Sequence, residues 1–170
     1  VHEAVKEELE RKLVERIAKL KLGNGLDETV DVGPVINRAA LEKIDEYVKI
    51  GIEEGARLLI GGKIATENGL DKGNFYEPTL FTDVKPNMRI AQEEIFGPVA
   101  SIIPVKSLEE AIEVNNSVEF GLSSSIFTRD INRAFQAMRD LDTGIVYVNA
   151  GTTGAEIHLP FGGTKGTGNG

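Results

Sequence analysis

No cysteine occurs among the 170 residues. That excludes disulfides, thiolate metal sites and any cysteine nucleophile within this chain. Histidine is nearly as scarce. His2 and His158 are the only two, too few for a histidine-rich metal site, and no metal is expected. Clusters of lysine and arginine are missing as well. With a formal net charge of −8, nothing points to a nucleic-acid partner or an anionic membrane surface. No apolar run approaches the length of a transmembrane helix. No charged-then-apolar leader is seen either, so a cytoplasmic location is expected. The Asn115-Asn116-Ser117 sequon then carries no meaning. The chain opens at Val1, inside helix-like sequence, and reads as a piece of something longer.

What is present is ordinary globular material, 41% apolar and 27% charged, in a length sufficient for one domain with a core. Val5, Leu9, Leu13, Ile17 and Leu20 form one stripe of an amphipathic helix over residues 3 to 22, with Gly23 suited to end it. Asn37 can cap a second helix that buries Leu41, Ile44 and Val48, and Gly55 stops it. "ARLLIGG" reads as a short buried strand, residues 63 to 74 as an exposed loop, and "FYEPTLFTDV" as a strand. Pro78 argues that this last strand lies at an edge or a bulge.

From residue 99 the pattern becomes regular. "VASIIPV", "LSSSIFT" and "IVYVN" read as strands. Between them, Ser107 with Glu110 forms a capping box for a helix running to about Asn116. Asp130 caps another, whose inner face would carry Ile131, Ala134, Phe135, Met138 and Leu141, with Gly144 as its stop. The fold class implied is α/β, with a parallel βαβαβ sheet. In such sheets, ligands bind beyond the carboxyl ends of the strands. Asn149 should therefore stand at a strand's carboxyl end, and Gly144, Gly151 and Gly162-Gly163 at turns. The last twenty residues hold seven of the nineteen glycines. Neither "GGTKGTG" nor "GTGNG" has the spacing of a P-loop or a dinucleotide fingerprint, so no phosphate loop is expected.

One short stretch poses a chemical question. "EEIFGPV" sets Glu93 and Glu94 against Phe96 and the Gly97-Pro98 turn. A solvated helix end and a ligand-holding turn would both be written this way.

"GPVINRAALEKI", "EEGARLLIGG", "YEPTLFTDV", "EEIFGPV", "FGLSSSIFTRDINRAF", "TGIVYVN" and "LPFGGTKGTGNG" together resemble the NAD(P)-dependent aldehyde dehydrogenase superfamily. They stand in that family's order and at family-like spacing over nearly the whole chain. The resemblance implies that residues 1–170 are a truncated part of the family's catalytic domain, from its carboxyl side. The cofactor-binding domain, the segment with the nucleophilic cysteine and the last oligomerisation segment would be absent. It implies a parent enzyme, a homo-oligomer (dimer or tetramer), that oxidises a small-molecule aldehyde to the acid with NAD or NADP through a cysteine thioester. "GAEIHLPFGG" is closest to members acting on semialdehydes of carboxylic acids. The isolated chain is expected to be inactive. A standalone non-catalytic binding or structural module, and an unrelated doubly wound nucleotide-binding domain, are the other readings. The start and end inside family motifs speak against the first, and the ordered motifs against the second.

The same resemblance implies cofactor-binding roles. Glu94 would accept hydrogen bonds from the ribose next to nicotinamide, offering paired acceptors to a vicinal diol. Phe96 would pack near the nicotinamide ring. Lys43 matches a lysine near the adenosine ribose, whereas Ala40 stands where some members have glutamine. Asn149, Gly151, Thr152 and Thr153 fall on the loop entering the aldehyde pocket, and Phe161 matches an aromatic lining it. No catalytic residue is implied within this chain. Glu93 carries no family role and reads as a solvated carboxylate, and His158 as a surface or packing residue.

Overall fold

The computed structural model describes residues 1–155 and 157–168. Glu156 of "GAEIHLPFGG" and the closing Asn169-Gly170 lie outside the described residues. The chain divides into two compact units, Val1 with Glu3–Pro104 and His2 with the residues from Val105 onward.

In the first unit, α1 (Glu3–Ile17) ends before the point its apolar spacing predicts. Ala18, Lys19 and Leu20 leave it in successive turns, and Gly23 donates its N–H to Val32 instead of capping the helix. The expected stripe is not its buried face either. Val5 is exposed, Leu9, Leu13 and Ile17 are half-buried, and the buried residue of the helix is Glu10. Lys6 (2.9 Å), Arg57 (3.5 Å) and the Thr82 hydroxyl hold that carboxylate. Burial pushes the Glu10 carboxyl up, but the hydrogen bonds and the two cations outweigh it and leave the group below its usual range. The helix docks through charge, which a hydrophobicity pattern cannot register.

The second helix, α2 (Arg38–Glu53), follows its pattern. The Asn37 side chain accepts from the Ala40 N–H at 2.8 Å, and Leu41, Ile44 and Val48 are buried. Its end is a left-handed stop at Gly55 (φ +94°), with Ala56 N–H bonded back to Gly51 at 2.9 Å.

Strand β1 (Arg57–Ile60) leads into the expected loop, where Glu67–Lys72 forms 3₁₀ turns broken at left-handed Asn68 and Gly69. Then come β2 (Thr79–Thr82), the single turn α3 (Arg89–Gln92) and β3 (Val99–Ser101). They form a sheet in the order β1-β2-β3, antiparallel then parallel. Contrary to the expectation from Pro78, β2 is central, and all four of its residues are buried. Pro78 lies just before the strand, where the ladder asks no N–H of it, and the irregularity sits opposite, between Leu58 and Ile60 of β1. Tyr76, Phe81 and Val84 close the core over Leu41, Ile44 and Val48.

In the second unit, α4 (Leu108–Asn116) starts at Ser107, whose hydroxyl accepts from the Glu110 N–H at 3.1 Å. The Glu110 carboxylate reaches the Lys106 N–H (2.6 Å), one residue before the cap. Next come β4 (Phe120–Gly121), β5 (Ser123–Ile126), α5 (Ile131–Asp140), β6 (Ile145–Val148) and β7 (Thr164–Lys165). β5 and β6 run parallel through α5, register Ser123↔Ile145 to Ile126↔Val148, and β4 pairs antiparallel with β7. Gly144, Gly151, Gly162 and Gly163 lie outside regular elements, and Asn149 follows the carboxyl end of β6.

The α/β class stands, but the three strands expected in one sheet over 99–149 separate. β3 pairs with β2, and β5 with β6. The reason is local chemistry. Pro104 lacks an N–H and ends the strand, while Ile102 continues the ladder with Phe81 at 2.9 Å. The link from β2 through α3 to β3 is itself a parallel crossover, so chain order alone did not choose β3's neighbour. The inner face of α5 also differs from expectation. Ala134 and Ala137 are buried, whereas Ile131, Phe135 and Met138 are exposed. Among the described residues, no helix is long and apolar enough to cross a membrane. No group of three or more His, Asp or Glu residues there is arranged to hold a metal ion.

Candidate functional site

The "EEIFGPV" stretch forms an exposed turn between α3 and β3. Its backbone is unusual at Phe96, which takes φ +58° and is 77% exposed as a residue. A bulky residue rarely adopts a left-handed conformation, which persists only where the surroundings enforce it. Three contacts do so. Lys43 of α2 donates from Nζ to the Glu94 carbonyl at 2.8 Å. Gly97 lies against Ile44, where a β-carbon would collide with that side chain. The Pro98 carbonyl accepts from the Thr79 N–H at 2.8 Å, joining the turn to the sheet. Helix α2 is thus the template for the turn.

Glu93 does not behave as a merely solvated carboxylate. Arg89, four residues earlier, donates to both of its oxygens, at 2.8 and 2.9 Å, and the Tyr47 hydroxyl donates to one of them. Two cations lie over the Tyr47 ring, Lys43 Nζ 5.5 Å and the Arg89 guanidinium 5.2 Å from its centroid. The hydrogen bond from Arg89, then that from Tyr47, pull the Glu93 carboxyl down to about 2. The same bond to Glu93 pushes the Tyr47 phenol up. Sequence reasoning missed Arg89 and Tyr47. The four-residue spacing of Arg89 to Glu93, and of Lys43 to Tyr47, was the available signal.

The Glu94 carboxylate is exposed and meets no hydrogen-bond donor among the described residues. An acceptor-only group and a flat apolar ring therefore stand two residues apart on a braced turn. That pairing suits a ligand with a vicinal diol beside a planar ring, which is how a nicotinamide riboside is built. By this measure the residues fit the cofactor implied by the sequence.

In the second unit, the other predicted residues occupy the segment after β6. Asn149 takes φ +55°, and its side-chain amide chelates Thr128, accepting from the N–H and donating to the C=O, both at 2.9 Å. This amide is spent on bracing the loop. Ser125 donates to the Ala150 carbonyl at 2.5 Å, and Tyr147 to the Gly154 carbonyl at 2.7 Å. Gly151, Thr152 and Thr153 are exposed between these anchors, and Phe161 is exposed further along. His158 is exposed too. A separate open groove in the first unit, lined by Ile17, Leu22, Ile60, Ile64 and Leu70, contains none of the predicted site residues.

Comparison with known proteins gives this arrangement its context. Residues 1–170 match the aldehyde dehydrogenase family. The α-ketoglutarate semialdehyde dehydrogenase of Haloferax volcanii is 44% identical over 97% of this chain and 34% of its own length. The betaine aldehyde dehydrogenase of Brucella anthropi is 42% identical over 99% of this chain and 34% of its own. Among solved structures, the betaine aldehyde dehydrogenase of Staphylococcus aureus, in complex with NAD+, superposes with a TM-score of 0.94 at 36% identity. It covers all of this chain and 34% of that one. The chain thus spans about a third of the length of these relatives. The chain belongs to the aldehyde dehydrogenase family.

Proposed function

We propose that this member of the aldehyde dehydrogenase family is part of the catalytic domain of an enzyme, cytoplasmic and homo-oligomeric, that oxidises an aldehyde to its acid with NAD or NADP. The observation that carries the reading is the braced turn offering Glu94 and Phe96 side by side. When bound, the cofactor supplies a hydride acceptor at the nicotinamide ring. Glu94 holds the adjoining ribose by accepting from its hydroxyls. Phe96 keeps the ring in place by apolar contact, and Lys43 fixes the turn from below through the Glu94 carbonyl. On the substrate side, the loop braced by Asn149 presents Gly151, Thr152 and Thr153 toward the aldehyde, with Phe161 as an apolar wall.

The chain has no cysteine, and serine or threonine hydroxyls are weak nucleophiles without an adjacent base. A thioester route therefore draws its thiol from outside these residues, along with most of the cofactor site. For the substrate, we favour the semialdehyde of a carboxylic acid, a reading supported by "GAEIHLPFGG" and by the Haloferax volcanii relative.

A chimaera tests this directly. The matching third of the Haloferax volcanii enzyme is replaced by this chain, and NAD or NADP reduction is followed with α-ketoglutarate semialdehyde. Turnover by the chimaera and none by the isolated chain is expected. A folded chimaera that binds cofactor yet stays inactive would support a non-catalytic module instead. In the active chimaera, Glu94→Gln should lower the maximal rate more than it weakens cofactor affinity, because one contact is a small part of binding but orients the ring. An unchanged rate would remove Glu94 from the ribose.

A further inference from the structure

Glu93 presents a puzzle of position. Its side chain is 41% exposed, and exposed ion pairs add little to stability, about 0–1 kcal/mol. Yet three donor contacts converge on this carboxylate, one from Tyr47 of α2 and two from Arg89 at the start of α3. The residue itself is no longer helical. It caps α3 in extended backbone (φ −111°, ψ 148°), and the chain turns from there toward Phe96. A two-point guanidinium contact fixes both the distance and the plane of a carboxylate. Fixing that plane in an extended residue also fixes the direction in which the next residue leaves.

The next residue is Glu94. Its carbonyl is tied to Lys43, one helical turn before Tyr47 on the same face of α2. Lys43 and Arg89 also both lie over the Tyr47 ring. The turn is therefore held at consecutive residues by one small unit: Glu93 through its side chain and Glu94 through its backbone. Downstream, Gly97 on Ile44 supplies the other end of the brace. Between the two ends lies the unfavourable left-handed Phe96. Removing one end would let the backbone relax to negative φ, which would swing the Phe96 ring and turn the Glu94 carboxylate.

We infer that Glu93, gripped by Arg89 and Tyr47, is a positioning residue that anchors the turn and so sets where Glu94 and Phe96 meet the nicotinamide end of the cofactor. The inference rests on the reading of Glu94 and Phe96 given above. Glu93 touches neither substrate nor cofactor. Its effect passes through the geometry of its neighbours, and a misplacement of about 1 Å at a reacting centre can cost on the order of a hundredfold in rate.

The test has one arm without cofactor and one with it. In the cofactor-free chain, ¹⁵N relaxation reads the backbone order of residues 94–96. The wild type should lie in the rigid range, near about 0.85, and Glu93→Ala should fall below about 0.6 at these residues, with β2 unchanged. Arg89→Met should do the same, and Glu93→Gln, which keeps one acceptor oxygen, should fall between. Unchanged order in Glu93→Ala overturns the proposal. In the active chimaera, Glu93→Ala should slow hydride transfer by about tenfold, with the cofactor dissociation constant held within about twofold. A lowered melting temperature with a normal transfer rate would make the role merely structural and overturn it. Glu94→Gln serves as the control. If it slows transfer and Glu93→Ala does not, the positioning role alone fails. If Glu94→Gln changes nothing, the ribose reading fails with the catalytic half of this proposal, while the relaxation arm still decides whether Glu93 anchors the turn.

Discussion

Between Glu3 and Pro104, Tyr76, Phe81, Leu41, Ile44, Leu80 and Val48 are each at most 1% exposed. From Val105 onward, the buried apolar side chains among the described residues are Val105, Ile112, Ala134 and Ala137, while Phe127, Ile131, Phe135, Met138 and Phe161 are exposed. The two units have similar elements but bury different sizes of side chain. A fully buried Phe or Leu contributes about 1.5–3 kcal/mol, and each methylene less means about 0.8 kcal/mol less. The first unit is therefore the better consolidated of the two. It also carries the Glu94–Phe96 turn, whose strained backbone needs a firm base. Ile44, which Gly97 touches, is completely buried in that core. In the second unit, order is kept by polar anchors at loop ends, such as Asn149 on Thr128 and Tyr147 on Gly154.

The contrast breaks most easily on aromatic truncation. Phe81→Ala should destabilise by about 3–5 kcal/mol in urea denaturation, since it empties a packed site. Phe135→Ala should stay within about 0.5 kcal/mol, because its ring is exposed. Comparable losses at the two positions would show that α5 buries its outer face after all. A smaller effect sharpens the role of polar anchors. Asn149→Ala removes both bonds to Thr128 and puts alanine at φ +55°. It should cost about 1–2 kcal/mol, and Asn149→Gly, which accepts that backbone, should cost less. Equal values would mean that the conformation is not what Asn149 supplies.

The smallest effect is the dependence on acid. Glu93 is held down to about 2 in the folded chain, whereas a free glutamate titrates near about 4.3. A depressed carboxylate adds stability that is present above the unfolded value and is lost as pH falls from about 4.3 toward 2. Wild type should therefore exceed Glu93→Gln at pH 6, and the gap should close near pH 2. A gap independent of pH would deny the ion pair with Arg89. High salt should shrink the gap at pH 6, as expected for an exposed pair.

Much of the local structure could be read directly. Asn37, Ser107 and Asp130 each accept from a backbone N–H two or three residues ahead, so the start of a helix is decided within one turn of chain. The glycine at 55 and the alternation of strand and helix after Ser107 are equally short-range signals. So are the seven family motifs, and they led to Glu94 and Phe96 on one turn and to Lys43 on the helix bonded to it. The α1 stripe misled because Glu10 finds Thr82, 72 positions away, and a charge met by such a partner can replace a leucine as the buried group. The α5 face misled because small alanines allow close approach to the sheet, a preference that hydrophobicity ranks below Phe and Met.

The sequence by itself determined the starts of the helices capped by Asn37, Ser107 and Asp130, the α/β class and the family, because each rests on residues near one another or on motifs in order. Only the tertiary structure decided that β3 joins β2, that Asn149 spends its amide on Thr128, and that Tyr47 closes on Glu93. The two side-chain contacts bring donors and acceptors together across 21 and 46 positions, and β3 meets β2 across 20. Over such separations, the geometry of the fold selects the partner from many chemically equal candidates.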